Sequence, residues 1–514
     1  MGATILLKQT MDSTPLTLLG TLAILSVIFF GVKIIYTLFF HPLHHIPGPK
    51  INALSRIPYV RHILAGTTTQ NVVNLHEKYG DVVRVSPTQV SFISGETAWP
   101  EIYGFRTGKM KGHLNMQKDP AWYAPPANGS PSILIADDEN HTRGRRILAH
   151  AFGEKALSEQ EMLLQKYADQ LINQLKDSAG ASDEAVDLVK WYNWTTFDII
   201  ADLMFGEPFG CLQDCSTHKY VVLLFKGVKA VRLFYIMKYY PLVKYLGNWL
   251  IDKNLLAERL EFANWVDMQV KKRMERETQR PDFMTQILKH NGLKDGKAPR
   301  LSDAEMTSNA ILMLTAGSET TATLLSGVTF FLLKNPQIME RLKNEIRSNF
   351  ENYYDITLEQ VNTKTPYLLA VLWEGLRIFP PVPNGFERQV GRGGEIVSGY
   401  FVPEGTAVSV SQYPCYRSES NFKNANKFAP ERWLDDPEYA HDKRNAMQPF
   451  SVGPRGCLGK NLALAEMRLI LAKMIWSFDL ELQPQSLNWN NECKTQLLWA
   501  KPPLIVKLKE VARQ

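Results

Sequence analysis

The stretch Phe450–Gly459 reads FSVGPRGCLG and places a single cysteine, Cys457, between glycines. Directly after it, Lys460 opens a run of good helix formers, NLALAEMRL. Glycine lets a backbone turn tightly and approach a flat ligand, because no side chain intervenes. A cysteine just before a helix N-terminus lies in positive backbone potential, which favours the thiolate, the form that binds metal ions. The stretch therefore predicts a metal-ligand loop centred on Cys457.

The neighbours of Cys457 decide between two interpretations. A lone cysteine in a cytosolic protein is usually a buried small hydrophobic residue. Here Phe450, Gly453, Arg455 and Gly459 surround it in a pattern that closely resembles the haem-ligand loop of the cytochrome P450 superfamily. The resemblance implies haem b with the Cys457 thiolate as its iron ligand and these four residues as cofactor contacts. No Cys-x-x-Cys-His is present, so the haem would be held without thioether links.

Two further motifs resemble parts of the same superfamily. Glu374-Gly-Leu-Arg377 is similar to its Glu-x-x-Arg motif, and residues three apart share a helix face, so the pair can meet. Phe428-Ala-Pro-Glu-Arg-Trp433 is similar to its Pro-Glu-Arg-Phe motif, with Trp433 in place of the commoner phenylalanine. The resemblance implies that Glu374, Arg377 and Arg432 form a structural network, not a catalytic one.

The segment Ala316–Thr321, AGSETT, lies midway along a long apolar helical pattern. One glycine and two threonines weaken a helix, since glycine costs about 1 kcal/mol relative to alanine and hydroxyls compete for carbonyls. This is either structural slack or a bend that opens a groove for a small ligand. The pattern resembles the superfamily's oxygen-activation helix. That implies catalytic proton-relay roles for Glu319 and Thr320, and cofactor contacts at Ala316 and Gly317.

A basic segment, Asp138–Arg146, predicts the start of another helix. A solvated charged face is one interpretation. The superfamily has Trp-x-x-x-Arg here and its fungal members often have His-x-x-x-Arg, which implies that His141 and Arg145 hold a haem propionate. The resemblance adds Arg388 and Arg455 as further propionate partners.

The N-terminus predicts a membrane anchor, because Ser13–Val32 carries no charge and a bilayer core needs about 20 apolar residues in a helix. The predicted division is a short lumenal N-terminus (1–12), a transmembrane anchor (13–40), a proline-rich hinge (41–50) and a haem-binding catalytic domain (51–514). A cleaved signal peptide is the alternative, but no small-x-small cleavage site follows. Excess Lys and Arg after the span predict a single-pass protein of the endoplasmic reticulum membrane with its catalytic domain on the cytoplasmic side.

Helical periodicity dominates the rest of the chain. Helical patterns cover residues 155–176, 185–206, 255–278, 303–334, 337–349, 366–379 and 460–478. Strand-like segments are short: Val82–Val85, Val90–Ile93, Ile396–Val397, Ala407–Val410 and Leu497–Leu508. The patterns predict a mainly α fold with a small β portion, and the resemblance implies the cytochrome P450 fold behind an N-terminal transmembrane helix.

Composition limits the partners. The net charge of +6 is spread over 514 residues, too modest to indicate a nucleic-acid partner. The five cysteines form neither a zinc spacing nor a disulfide framework, and Cys211 and Cys215 have no second ligand pair nearby. Residues 215–251 carry six basic residues and no acidic one. That pattern fits a helix pair resting on anionic membrane lipid as well as it fits two ordinary surface helices.

No Gly-x-Gly-x-x-Gly lies between a predicted strand and helix, so electrons must come from another protein. The resemblance implies NADPH-cytochrome reductase, docking where Lys443, Arg444 and Lys460 offer positive charge. It further implies a monooxygenase that uses O2 to hydroxylate or otherwise oxidise an apolar small molecule, as in the fungal biosynthesis of terpenoid, polyketide or alkaloid-like secondary metabolites.

Two other classes stay open at this point. One is a haem-thiolate isomerase or dehydratase that works without O2, and the other is a non-catalytic haem carrier or sensor. The resemblance places the walls of the substrate pocket at residues 105–135, 310–320, Val382–Phe386 and 491–499. None of these segments identifies the substrate.

Overall fold

The computed structural model describes residues 2–123, 125–182, 184–240, 253–291 and 300–512. We number the α-helices of these residues in chain order. They are α1 (Gly2–Ile35), α2 (Lys50–Leu54), α3 (Ile57–Ala65), α4 (Thr68–Tyr79), α5 (Gly95–Tyr103), α6 (Asp138–Leu148), α7 (Glu154–Ser182), α8 (Leu188–Phe205), α9 (Lys219–Tyr239), α10 (Lys253–Glu275), α11 (Phe283–His290), α12 (Asp303–Lys334), α13 (Pro336–Asn349), α14 (Leu358–Lys364), α15 (Pro366–Ile378), α16 (Gln412–Tyr416), α17 (Lys460–Ser477) and α18 (Trp489–Glu492).

The strands are short and lie at the edge of this helical body. They are β1 (Val82–Ser86), β2 (Gln89–Phe92), β3 (Gln117–Lys118), β4 (Val186–Asp187), β5 (Arg388–Gln389), β6 (Glu395–Val397), β7 (Tyr400–Val402), β8 (Ala407–Val410), β9 (Phe478–Leu482), β10 (Lys494–Thr495), β11 (Trp499–Ala500) and β12 (Ile505–Glu510). The largest sheet has the order β1-β2-β8-β5-β3. Only its β2–β8 pair is parallel, with Val90 opposite Val408. This sheet brings Lys118 of β3 and Arg388 of β5 side by side.

Helix α12 is the long central helix, and most of its residues are buried. A capping box starts it: the Ser302 hydroxyl accepts from the Glu305 N–H, and the Glu305 carboxylate accepts from the Ser302 N–H. The helix is unbroken through residues 316–321. A Cβ on Gly317 would lie 2.7 Å from Cδ1 of Ile200 on α8, so this glycine permits close packing of the two helices instead of a bend.

The N-terminal helix continues through a π-helical turn, and together Leu18–Phe40 is long and apolar enough to cross a membrane. Most of that span is exposed, and Thr37 near its end is buried. The hinge that follows packs on β1, where the Arg84 N–H donates to Pro47 O over 2.7 Å and Arg84 Nη2 lies 3.4 Å from His41 Nδ1. These contacts hold the hinge in a fixed position against β1.

The predicted strand over Leu497–Leu508 is wrong. The structure has β11 and β12 there, separated by residues 501–504 without regular structure. Pro502 and Pro503 lie in that gap and have no N–H to donate to a strand ladder. The break matters for the site, because Lys501 stands at its start.

The basic segment 215–251 is only partly described, since residues 241–251 lie outside the described ranges. In the part that is described, Lys219 and Lys226 of α9 form ion pairs of 2.6 Å with Glu261 and Glu258 of α10. These two lysines therefore face the neighbouring helix.

Candidate active site

The loop before α17 folds tightly around Cys457. The Cys457 N–H donates to Phe450 O over 2.7 Å, and the Gly456 N–H donates to Gly453 O over 3.1 Å. Gly453 has the left-handed φ of 75°, and a Cβ there would lie 2.0 Å from Tyr103 O. No other residue fits this position, because the backbone conformation and the neighbouring carbonyl both exclude a side chain. The loop is thus tightly held, and it exposes the Cys457 sulfur.

The Cys457 side chain is exposed, although protein surrounds it. Burial among protein atoms raises the pKa of the Cys457 thiol, while the Gly459 N–H and the charges of Arg145 and Lys460 act in the opposite direction. A sulfur that faces an internal cavity is both accessible and surrounded by protein atoms. The expected thiolate-favouring potential is present but is outweighed by burial. A metal cation at the sulfur reverses that balance, since a coordinating thiol loses its proton.

The other cysteines lack this combination. Cys211 and Cys415 are buried and Cys493 is half-buried; burial raises the pKa of Cys211 and of Cys493 to about 12. Cys215 is exposed and its Sγ lies 3.6 Å from Gln174 Oε1. Within the described ranges, no group of three or more His, Cys, Asp or Glu side chains converges as a metal site.

Basic side chains converge beside the cysteine loop. Burial, Arg455, Arg145 and Lys118 together lower the pKa of His141 to about 4. Burial, Arg388 and Arg455 hold the pKa of Lys118 well below its usual range. The four residues predicted from the sequence, His141, Arg145, Arg388 and Arg455, therefore do lie close together, and Lys118 joins them. Their mutual repulsion makes this cluster a binding place for anions.

The same cluster holds two buried donors that have no hydrogen-bond partner in the described part of the chain. Arg388 Nε and the Tyr123 hydroxyl are buried without a partner among the described residues. By contrast, Arg455 Nη2 donates to Asp138 Oδ1 over 2.9 Å, and Arg145 Nη1 donates to Gly456 O over 2.6 Å. The sequence analysis missed Lys118 and Tyr123, because they lie in a segment without a recognisable motif. Only the pairing of β3 with β5 brings Lys118 to the cluster.

One face of α12 opens into the interior at Ala316 and Thr320. Ala316 is exposed in the middle of a mostly buried helix, and Thr320, one turn later, is half-buried. The Thr320 hydroxyl donates to Ala316 O over 2.6 Å. Its oxygen lone pairs are therefore left to accept a hydrogen bond from the cavity side.

Glu319 lines a second cavity of about 290 Å³ that has both polar and apolar walls. It forms a buried ion pair with Lys501, and Lys501 Nζ also donates to Thr323 Oγ1 over 2.6 Å. Glu319 Oε2 and Asn193 Oδ1 are buried without a partner among the described residues, and both residues line this cavity. Sequence reasoning missed Lys501, because it predicted an unbroken strand there.

The comparisons with known proteins agree with this geometry. The sequence profile described as Cytochrome P450 matches residues 48–508, nearly the whole chain beyond the N-terminal helix. This chain belongs to the cytochrome P450 family. It is 60% identical to cytochrome P450 monooxygenase traB of Penicillium crustosum, covering 96% of this chain and 97% of the relative. It is 44% identical to cytochrome P450 monooxygenase lcsI of Purpureocillium lilacinum (95% and 93%) and 41% identical to averantin hydroxylase of Dothistroma septosporum (92% and 88%). The chain is a cytochrome P450 monooxygenase related to enzymes of fungal secondary metabolism.

Cytochrome P450 enzymes hold their haem through a cysteine, and the residues of this chain suit that cofactor. The Cys457 sulfur is accessible, and it lies in a loop where Gly453 leaves no room for a side chain. A haem carries two propionates, and the excess of cations with free donors at Arg388 and Tyr123 is the complement that two carboxylates require.

The structural network of this cytochrome P450 is fully buried. Glu374 accepts from Arg377 Nε over 2.9 Å and from Arg432 Nε over 3.3 Å. Arg432 Nη1 also donates to Asp442 Oδ2 over 2.6 Å, so two carboxylates balance two guanidiniums. Trp433 Nε1 donates to Glu374 Oε2 over 3.0 Å. The departure from the commoner phenylalanine thus adds one more donor to the network.

A mainly apolar cavity of this cytochrome P450 has a volume of about 260 Å³ and lies against α12. Its walls include residues from all four predicted segments, among them Ile135, Thr315, Phe386 and Leu497. The structure adds walls from α9 and α10 that the sequence analysis did not place there: Leu223, Leu224, Gly227, Val231, Phe234, Arg259, Phe262 and Ala263. Apolar side chains dominate the lining.

Proposed function

We propose that this cytochrome P450 uses O2 and electrons from NADPH to hydroxylate or otherwise oxidise an apolar small molecule of a fungal secondary metabolite pathway. The observation that carries the proposal is an accessible cysteine sulfur inside the protein, together with an apolar cavity against α12. Haem with a thiolate ligand, when bound, supplies the activation of dioxygen for insertion of one oxygen atom into a C–H bond.

The geometry above supports the following cofactor roles. Cys457 provides the iron ligand, and Phe450, Gly453 and Gly459 shape its loop. His141, Arg145, Arg388 and Arg455 hold the propionates. Ala316 leaves room for the cofactor on the opposite side of the cavity, and Gly317 keeps α12 in place against Ile200.

Two residues of α12 manage protons. The Thr320 hydroxyl already donates to Ala316 O, so its oxygen accepts from an ordered water at the reacting centre. Glu319 lines the second cavity, and its carboxylate passes protons from that side of α12 toward Thr320. Lys501 fixes the direction of the Glu319 carboxylate by holding Oε1 and leaving Oε2 free.

The electrons come from NADPH-cytochrome reductase. Lys443 and Lys460 are exposed, and the charge of Lys460 acts on the Cys457 thiol. Arg444 is a weaker attraction, because Asp435 binds it over 3.0 Å. An acidic face of the reductase would dock here at a short distance from the sulfur.

The span Leu18–Phe40 anchors the enzyme in the endoplasmic reticulum membrane with residues 51–514 on the cytoplasmic side. The anchor, the hinge over residues 41–50 and the catalytic domain then act as one unit, because the hinge is bonded to β1. Membrane lipid is a partner of the anchor. The substrate skeleton is of the terpenoid, polyketide or alkaloid-like kind.

The test uses full-length protein in microsomes with a reductase. The reduced, carbon-monoxide-bound protein should show a thiolate-type Soret band, and Cys457→Ser should abolish it while Cys493→Ser keeps it. Product formation from fed pathway intermediates should stop without O2 or NADPH. Turnover that continues without both would establish an isomerase or dehydratase instead, and a Cys457→Ser protein with an unchanged band would refute the ligand assignment.

A further inference from the structure

Among the described residues that line the apolar cavity against α12, taken in the proposed function as the substrate cavity, one side chain is charged. That side chain is Arg259 of α10, which is charged at neutral pH and lies amid Leu, Ile, Phe, Pro and Ala side chains. Arg259 is half-buried, and a cation beside apolar side chains is stabilised by an anion or polar group placed against it. A purely hydrocarbon ligand gains nothing from it.

Contacts with two other elements hold the Arg259 guanidinium at the cavity wall. Its Cζ lies 5.1 Å from the ring centroid of Phe234 on α9. Its Nη2 donates to Pro125 O in the loop between β3 and α6. That loop is itself fixed to α12, because Asn128 Nδ2 donates to Ala304 O over 2.9 Å. The guanidinium is therefore oriented in advance, and a single carbonyl uses only one of its five N–H groups.

The acidic residues of α10 near Arg259 form ion pairs with other cations. Glu258 and Glu261, the nearest acids on α10, pair with Lys226 and Lys219 of α9. Among the described residues, no carboxylate lies within ion-pair distance of Arg259. Other arginines of this part of the chain differ in this respect, since Arg143 pairs with Glu305 and Arg280 pairs with Asp202.

We propose that Arg259 binds an anionic oxygen group of the substrate, a carboxylate or an equally acidic enol, while the apolar remainder lies along Ile311, Leu312 and Thr315. The inference rests on the proposed function and narrows its substrate class to acidic, otherwise apolar molecules. A guanidinium suits this task because it can bind a carboxylate through two parallel hydrogen bonds. The distance of each carbon from the bound acidic group then determines which carbon is oxidised.

The experiment measures the change in the haem Soret band as ligands bind to full-length enzyme at neutral pH. The probes are decanoic acid, 2-naphthoic acid and the methyl ester of each, so that charge varies while the skeleton stays. The wild-type enzyme should bind at least one acid more tightly than its ester. Arg259→Gln should weaken binding of that acid by about 10-fold or more and leave the ester unchanged. Arg259→Lys should fall between, because it keeps the charge but loses the fork.

Arg232→Gln is the matched control. Arg232 lies on α9 and donates to Leu64 O, away from the cavity lining, so both ligand classes should bind as in the wild type. Equal loss of acid and ester in Arg259→Gln would make Arg259 a structural clamp and overturn the proposal. Wild-type enzyme that binds no acid more tightly than its ester overturns it too. A protein without the carbon-monoxide band would instead show that the proposed function has failed.

Discussion

Replacing Lys501 by methionine tests the proton path most directly. In the folded enzyme the Lys501 and Glu319 side chains are 3% and 5% exposed, so bulk solvent replaces little of the lost interaction. Without the ammonium, Glu319 Oε1 keeps only the Thr323 hydroxyl at 3.2 Å, and Oε2 has no partner among the described residues. Breaking a buried pair by removing one partner costs about 3–5 kcal/mol. We expect that loss in the free energy of unfolding.

The matched control is Lys473→Met, which breaks the ion pair with Asp169. Lys473 is as buried, at 2%, but Asp169 is 32% exposed and also accepts from the Tyr353 hydroxyl over 2.6 Å. Water and that hydroxyl compensate the carboxylate, so the cost should be about 1–2 kcal/mol. Urea unfolding followed by circular dichroism gives both values.

The functional readout is hydrogen peroxide released per NADPH consumed with a reductase and a turned-over substrate. Lys501→Met should raise it several-fold, because the Glu319 carboxylate loses its orientation, whereas Lys473→Met should stay at the wild-type ratio. Equal peroxide release in the two variants would refute the role given to the pair. A Lys501→Met protein as stable as Lys473→Met would refute the energetic reasoning.

Three further changes follow from the same geometry. Trp433→Phe removes a hydrogen-bond donor to the charged Glu374 and should lower the free energy of unfolding by about 2 kcal/mol. The control, Trp476→Phe, removes a donor to a neutral carbonyl and should lower it by about 1 kcal/mol. Equal losses in the two variants would contradict this. Folded His141 has a pKa of about 4 against its ordinary 6.5, so the unfolded chain takes up the proton first and stability falls as pH drops from 6.5 to 4; His141→Gln should flatten that slope in acid-unfolding curves, and an unaltered slope would count against it. Lys118→Met removes a charge that repels its neighbours, so it should stabilise the haem-free protein. The same change should speed the transfer of haem to apomyoglobin. A variant that retains haem as long as the wild type would show that Lys118 does not contribute to haem binding.

The local motifs carried more information than the periodicity did. Gly453 was predicted from its place before Cys457, and the Tyr103 carbonyl explains why no other residue fits. The predicted Glu374 network is present, because its members are set by short helical spacing and one recognisable motif. The strand over Leu497–Leu508 failed because alternation was read across two prolines.

The sequence alone determined the family, the cysteine loop and the long apolar N-terminal helix, since each depends on residues that are neighbours along the chain. Only the tertiary structure decided which distant side chains meet. Lys118 joins the cationic cluster through strand pairing, and Lys501 reaches Glu319 across 182 positions. Arg259 lines an apolar cavity from a helix on which the nearby Glu258 and Glu261 pair with lysines of α9. Such contacts produce no periodic pattern in the sequence, because each depends on the packing of elements that are far apart in the chain.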